Sequence, residues 1–433
     1  MVHSVTPADG LMRFIEQSPT PAHAVDSMVH RLQAAGFEAL DTATAWSLQP
    51  GQGYYLVLGS ASLIAWRQGS APVTQAGLRM LGAHTDSPCL KVKPQAEIQR
   101  QGYLQLGVEV YGGALLHPWM DRDLNLAGRV IYRSTSGRQV ATLWQHPRPI
   151  GVIPSLAIHL NREANKGVEV NPQKHLPVVL QTAAQPLQWC LRDQLALWLR
   201  ESGHPVDQVL EYDLCFSDSQ PPARIGLEGE FIAAARLDNL ASCYLALEAL
   251  IHADPETAAT QLVTLHDHEE VGSASAWGAE GPMLERVLRR LVSDELGWQQ
   301  MLDRSMMLSC DNAHALHPNF ADRHDENHGP RINQGPVIKV NANQRYATDS
   351  ETAALFATCC EEAQVPFQRF VVRSDMGCGS TIGPITATRL GVRVADIGIP
   401  QWAMHSVRET AGVMDLDYTL KAMQQFLQRE ALD

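Results

Sequence analysis

Residues 240–273 read LASCYLALEALIHADPETAATQLVTLHDHEEVGS. The run Leu240–His252 is apolar, Ala-rich and of helix length. A polar turn follows, and Gln261–Leu265 then reads as a short apolar strand. That strand ends in His266, Asp267, His268, Glu269 and Glu270, just before Gly272. Helix is followed by strand, and the charge collects where the strand ends. In a helix-covered parallel sheet, sites form just outside the carboxyl ends of strands.

The same alternation extends toward the C-terminus. Met283–Leu296, Thr352–Ala363 and Leu416–Glu430 are expected helices, and Met306–Ser309, Phe367–Val372 and Val392–Ile397 expected strands. Toward the N-terminus, Phe14, Ile15, Val25, Met28, Val29, Leu32 and Phe37 fall near helical spacing, split by Ser18-Pro19-Thr20-Pro21. Tyr54–Leu58, Ser62–Trp66 and Leu78–Gly82 read as strands. From Leu104 to Leu180 the pattern is strand-like, as in Leu104–Val110, Gly128–Tyr132 and Gln139–Leu143. We therefore expect an α/β fold with a mixed or largely parallel sheet and helices on both faces. It would be a discontinuous domain of residues 1–93 and 235–433, with a mostly-β domain, 94–234, inserted. No internal repeat, heptad array or low-complexity tract interrupts this organisation.

Composition narrows the function. Lys plus Arg number 34 and Asp plus Glu 47, so 34 − 47 gives −13. Nucleic acid and anionic membrane surfaces would be repelled by that field. An acidic small substrate would need a local basic group. No run approaches the ~18 apolar residues of a spanning helix. Met1–Asp9 lacks a basic segment followed by an apolar one, so no signal peptide is expected. Eight cysteines are scattered with no CxxC pair, which makes a reducing cytoplasm the expectation. GxxxxGK[ST], GxSxG, HExxH and GxGxxG are all absent.

What remains is a set of acidic and His residues placed after strands. His84 and Asp86, two apart, point to the same side of a strand end. Asp86 is suited to holding the second ring nitrogen of a ligating His84. Asp238 precedes the apolar helix and reads as an N-cap or as a ligand; the two roles do not exclude each other. Glu269 and Glu270 point in different directions, so one can bind metal while the other takes a proton. His266 and His268 suit supporting roles. Asp311 follows the strand Met306–Ser309, and His405 lies in a loop after Val392–Ile397. Two His, three carboxylates and a spare Glu match what two zinc ions about 3.5–4 Å apart require.

The segments GAHTDSPCLKVKP (82–94), HPWMDRDLNLAGRV (117–130), IPSLAIHLNR (153–162), ARLDNLASCYLAL (235–247), HDHEEVGS (266–273), SCDNAHALHPNF (309–320), GPVIKVNANQRYATD (335–349), DMGCGSTIGP (375–384) and MHSVRETAG (404–412) stand in this order. With them the chain resembles the aspartyl aminopeptidases, cytosolic di-zinc exopeptidases, over nearly its full length. The resemblance implies that His84, Asp238 and Asp311 hold one zinc. Asp238, Glu270 and His405 would hold the other, with Asp238 bridging. Glu269 would be the general base, and Asp86 would orient the site. Cobalt or manganese suit the same donors.

The resemblance also implies dimers through the inserted domain and a tetrahedral dodecamer. His159 would reach a neighbouring subunit's site and steady the reacting carbonyl oxygen. The substrates would be peptides with an N-terminal Asp or Glu, met by Lys339 with Tyr346 nearby. The Gly-rich Met376–Thr381 would bind a substrate carboxylate or carbonyl, or simply turn the chain. Three other readings stand beside this one: a di-zinc enzyme for neutral residues, a silent assembly shell, and a metal-storage module. Lys339 argues against the first, and Glu269 against the other two.

Overall fold

The computed structural model describes residues 6–167, 169–183, 188–292 and 294–432. The chain divides into two compact units, residues 1–86, 222–404 and 409–433 in the first, and 87–221 with 405–408 in the second. The insertion thus begins at Ser87 rather than residue 94, because the strand Cys89–Arg100 already pairs within the second unit's sheet. It ends at Pro221 rather than 234. Ala223–Ile225 pairs with Phe231–Ala234, which pairs in turn with Glu409–Gly412 of the first unit.

The first unit is built on a nine-stranded mixed sheet. Its centre is four parallel neighbours: Thr260–His266, Leu78–His84, Met306–Cys310 and Arg393–Gly398. Strands covered on both faces read as continuous apolar runs. Here Leu81, Ala83, Val263 and Leu265 join the core on one face. Met80, Leu262, Met307 and Val394 join the core on the other. Helices Pro7–Glu16, Pro21–Ala34, Leu237–Ile251, Ser350–Glu362 and Val413–Leu427 supply the first core. Met283–Leu288 and Glu295–Asp303 pack on the second. The expected helix Met283–Leu296 is therefore two pieces. The second starts afresh where the Asp294 carboxylate accepts the Gly297 N–H at 2.8 Å.

The second unit is an antiparallel six-stranded sheet of Gln139–Gln145, Leu124–Ser134, Val206–Asp218, Cys89–Arg100, Tyr103–Tyr111 and Val178–Thr182, in that order. A helix not expected from the sequence, Leu191–Glu201, seals it through Leu191, Leu195 and Leu199.

Candidate metal centre

The central parallel strands Leu78–His84, Thr260–His266 and Met306–Cys310 run side by side and end together. His84 is the last residue of the first, and Asp311 directly follows the last. Glu269 and Glu270 form a short 3-10 turn three residues beyond the second. His84, Asp238 and Glu270 each offer a ligand atom within 4.8 Å of the others. His84 Nε2 lies 3.4 Å from Asp238 Oδ1, 3.5 Å from Asp311 Oδ1 and 3.9 Å from Glu269 Oε2.

The tautomer of His84 follows from its other nitrogen. Nδ1–H donates to the Asp86 carbonyl at 3.0 Å, which leaves the Nε2 lone pair aimed at the carboxylates. A buried nitrogen facing three carboxylates calls for a cation. In the metal-free chain a proton fills that role: burial opposes it, but Glu269, Asp238, Asp311 and Asp86 together raise the His84 pKa well above its usual value. The donor set, imidazole and carboxylate oxygen without thiolate, suits zinc.

Asp86, fully buried, organises the turn opposite. Its Oδ1 accepts the Glu269 N–H and its Oδ2 the Glu270 N–H, each at 3.1 Å. Asp86 thus holds His84 through its backbone carbonyl and both glutamates through its carboxylate. Burial pushes the Glu269 carboxyl up to about 7; His84 opposes this, and Asp311, Asp86 and Asp238 reinforce it. That value suits a group that takes a proton near neutral pH.

Asp238 and Asn239 are non-helical in φ and ψ, so the regular helix begins only after them. A buried network holds this segment. Glu409 Oε2 accepts the Asp238 N–H at 3.0 Å, and Asn312 Nδ2 donates to Leu237 O at 2.9 Å and to Gln401 Oε1 at 2.8 Å. Sequence reasoning overlooked Asn312, Gln401 and Glu409. Two of them had a signal, since Asn312 adjoins Asp311 and Glu409 falls in MHSVRETAG.

Lys339 is almost fully buried. Its Nζ lies 3.4 Å from Asp311 Oδ2, 3.3 Å from Asn312 O and 4.9 Å from the centre of the Tyr346 ring. Tyr346, Gly377 and Cys378 line a cavity of about 310 Å³ with Phe370 and His314. His266 is buried away from these groups, with Nε2 3.0 Å from Thr264 Oγ1. His268 bonds Ser275 Oγ through Nδ1 at 2.8 Å. Both have supporting positions.

Two expected site residues belong to the second unit. His405 Nδ1–H donates to Gly113 O at 3.1 Å, the same second-nitrogen arrangement as in His84. His159 lies exposed in a turn, flanked by exposed Leu156, Ile158 and Leu160.

The pattern of the Aminopeptidase I zinc metalloprotease (M18) family matches residues 14–427. A probable M18 family aminopeptidase 2 of Stutzerimonas stutzeri (strain A1501) is 56% identical over 421 residues, covering 96% of this chain and 97% of that protein. Among solved structures, the cryo-EM structure of the Ape4 and Nbr1 complex matches with a TM-score of 0.93 and 35% identity, over 98% of this chain and 85% of that one. The S. cerevisiae mApe1 dodecamer matches with a TM-score of 0.86 and 27% identity, over 98% and 96%. This match, almost end to end, leads to one conclusion: the chain belongs to the M18 family of zinc metalloproteases and is an aminopeptidase.

Proposed function

We propose that this aminopeptidase removes an unblocked N-terminal Asp or Glu from peptides, using two zinc ions per subunit. His84, Asp238 and Asp311 hold one ion; Asp238, Glu270 and His405 hold the other. Bound zinc supplies Lewis acidity and brings the pKa of water down to about 7.

The chain's own residues do the rest. Asp86 fixes His84 and the Glu269–Glu270 turn before substrate arrives. Glu269 accepts the proton of the attacking water and returns it to the leaving amine. Lys339 meets the acidic side chain, and Tyr346 packs beside it. His159 steadies the developing oxyanion from a neighbouring subunit. Self-association accords with the exposed apolar residues around His159 and with the dodecamer formed by the S. cerevisiae relative. We infer dimers that assemble into a tetrahedral dodecamer in the cytoplasm. Among the described residues no helix is long and apolar enough to cross a membrane.

The observation that carries the substrate claim is Lys339, a buried ammonium beside the ligand cluster in a chain of net charge −13. A buried lysine needs partners for its charge; Asp311 and the Asn312 carbonyl supply two, and a substrate carboxylate would add a third. Lys339→Ala should lower kcat/KM for Asp-peptides by about 10²-fold or more and leave Leu-peptides far less affected. Equal losses on both would remove Lys339 from the specificity role.

A further inference from the structure

Asp396 stands within the buried strand Arg393–Gly398 and has no exposed surface. Its Oδ1 accepts from Thr381 Oγ1 at 2.5 Å and its Oδ2 from the Ala347 N–H at 2.6 Å. Its own N–H donates to Thr348 Oγ1 at 2.7 Å. A Cβ on Gly383 would stand 2.5 Å from both carboxylate oxygens, so only glycine lets that backbone come so near. Two stretches, one at Ala347 and one at Thr381–Gly383, therefore meet on one carboxylate.

Both tethered stretches adjoin walls of the cavity that Tyr346, the neighbour of Lys339, helps to line. Ala347 adjoins Tyr346, and the Gly377–Gly379 turn runs directly into Ser380 and Thr381. Burial pushes the Asp396 carboxyl up, and the Lys339 charge is the strongest influence pulling it down, so the two charges feel each other. Asp396 is not in the ligand group of His84, Asp238 and Glu270. Short hydrogen bonds to a buried carboxylate are strong and directional, which suits them to holding loops in one arrangement.

We propose that Asp396 is a positioning residue for selection of the N-terminal side chain. It locks Tyr346, which stands beside Lys339, and the Gly377–Gly379 segment into the arrangement that walls the cavity. The proposal rests on the reading of Lys339 as the partner of an acidic side chain. Selectivity for a charged group depends on a rigid, pre-organised pocket, so loosening its walls costs discrimination before it costs chemistry.

The test compares wild type with Asp396→Asn, which keeps the side-chain size and loses the charge and one acceptor. Asp- and Leu-peptides are assayed in parallel, with zinc content and melting temperature recorded. The expected result is a KM for the Asp-peptide raised about tenfold, with kcat and zinc within about twofold and kcat/KM for the Leu-peptide unchanged. Parallel loss on both peptides, loss of zinc, or an unchanged KM would overturn the proposal. Should Asp396→Asn not fold, Thr381→Val removes one tether and must show the same split in smaller measure; parallel losses there overturn it equally. A wild type without preference for Asp over Leu would defeat the Lys339 reading and this proposal with it. A wild-type preference that survives Asp396→Asn would defeat this proposal alone.

Discussion

Two neighbouring glutamates stand in different surroundings, and the proposed mechanism gives them different work. Glu270 belongs to the ligand group, whereas Glu269 Oε2 stands 3.9 Å from His84 Nε2 with its carboxyl pushed up to about 7, chiefly by burial. Glu269→Gln keeps the size and cannot take a proton. It should retain zinc, measured by metal analysis, and lose about 10²–10⁴ in kcat. A variant with wild-type turnover would exclude Glu269 as the base. Below the pKa of that base, kcat/KM should fall with pH in the wild type, because protonated Glu269 cannot accept another proton. Asp86 shows why a buried acid merits attention even when it is no ligand: one residue holds His84 through its backbone carbonyl and the two backbone N–H groups of the glutamates through its carboxylate.

At the scale of helices and strands, the site exists because parallel strands deliver their ends to one place. The Pro21–Ala34 helix packs on the core that backs them. Its His23, bonded to Thr20 Oγ1 at 2.8 Å, is pushed down to about 4 by burial, with Arg236 adding to the effect and Asp26 opposing it. The unfolded chain binds this proton near pH 6.5, the folded chain only near 4. Stability present above pH 6.5 is therefore lost as the pH falls toward 4. His23→Gln should flatten the slope of melting temperature between pH 7 and 4; an unchanged slope would contradict this. The central strands were legible because burial on both faces writes an unbroken apolar run, and each ended at a charged residue. Leu191–Glu201 was not, since its apolar positions lie in a segment dominated by strands. The break after Leu288 was hidden because Leu291 and Val292 still pack against the same core and keep the periodicity. Asp396 and Glu409 escaped notice for a different reason. Their partners lie 49 and 171 residues away, at Ala347 and Asp238, and a linear pattern carries no such distance.

For the whole molecule, the second unit's exposed loop matters most. Leu156, Ile158 and Leu160 are 60%, 48% and 75% exposed around His159. Leu160→Glu should lower the mass measured by light scattering and reduce activity with it; an intact assembly would contradict a role for this loop in self-association. The carboxylates of the first unit likewise make sense only with cations among them. Release of the N-terminal residue from matched Asp-, Glu- and Leu-peptides, before and after chelation and zinc restoration, tests these claims together. Cleavage confined to Asp and Glu, abolished by chelation and regained with zinc, is the expected result. Equal cleavage of Leu, or cleavage that survives complete removal of metal, would contradict it.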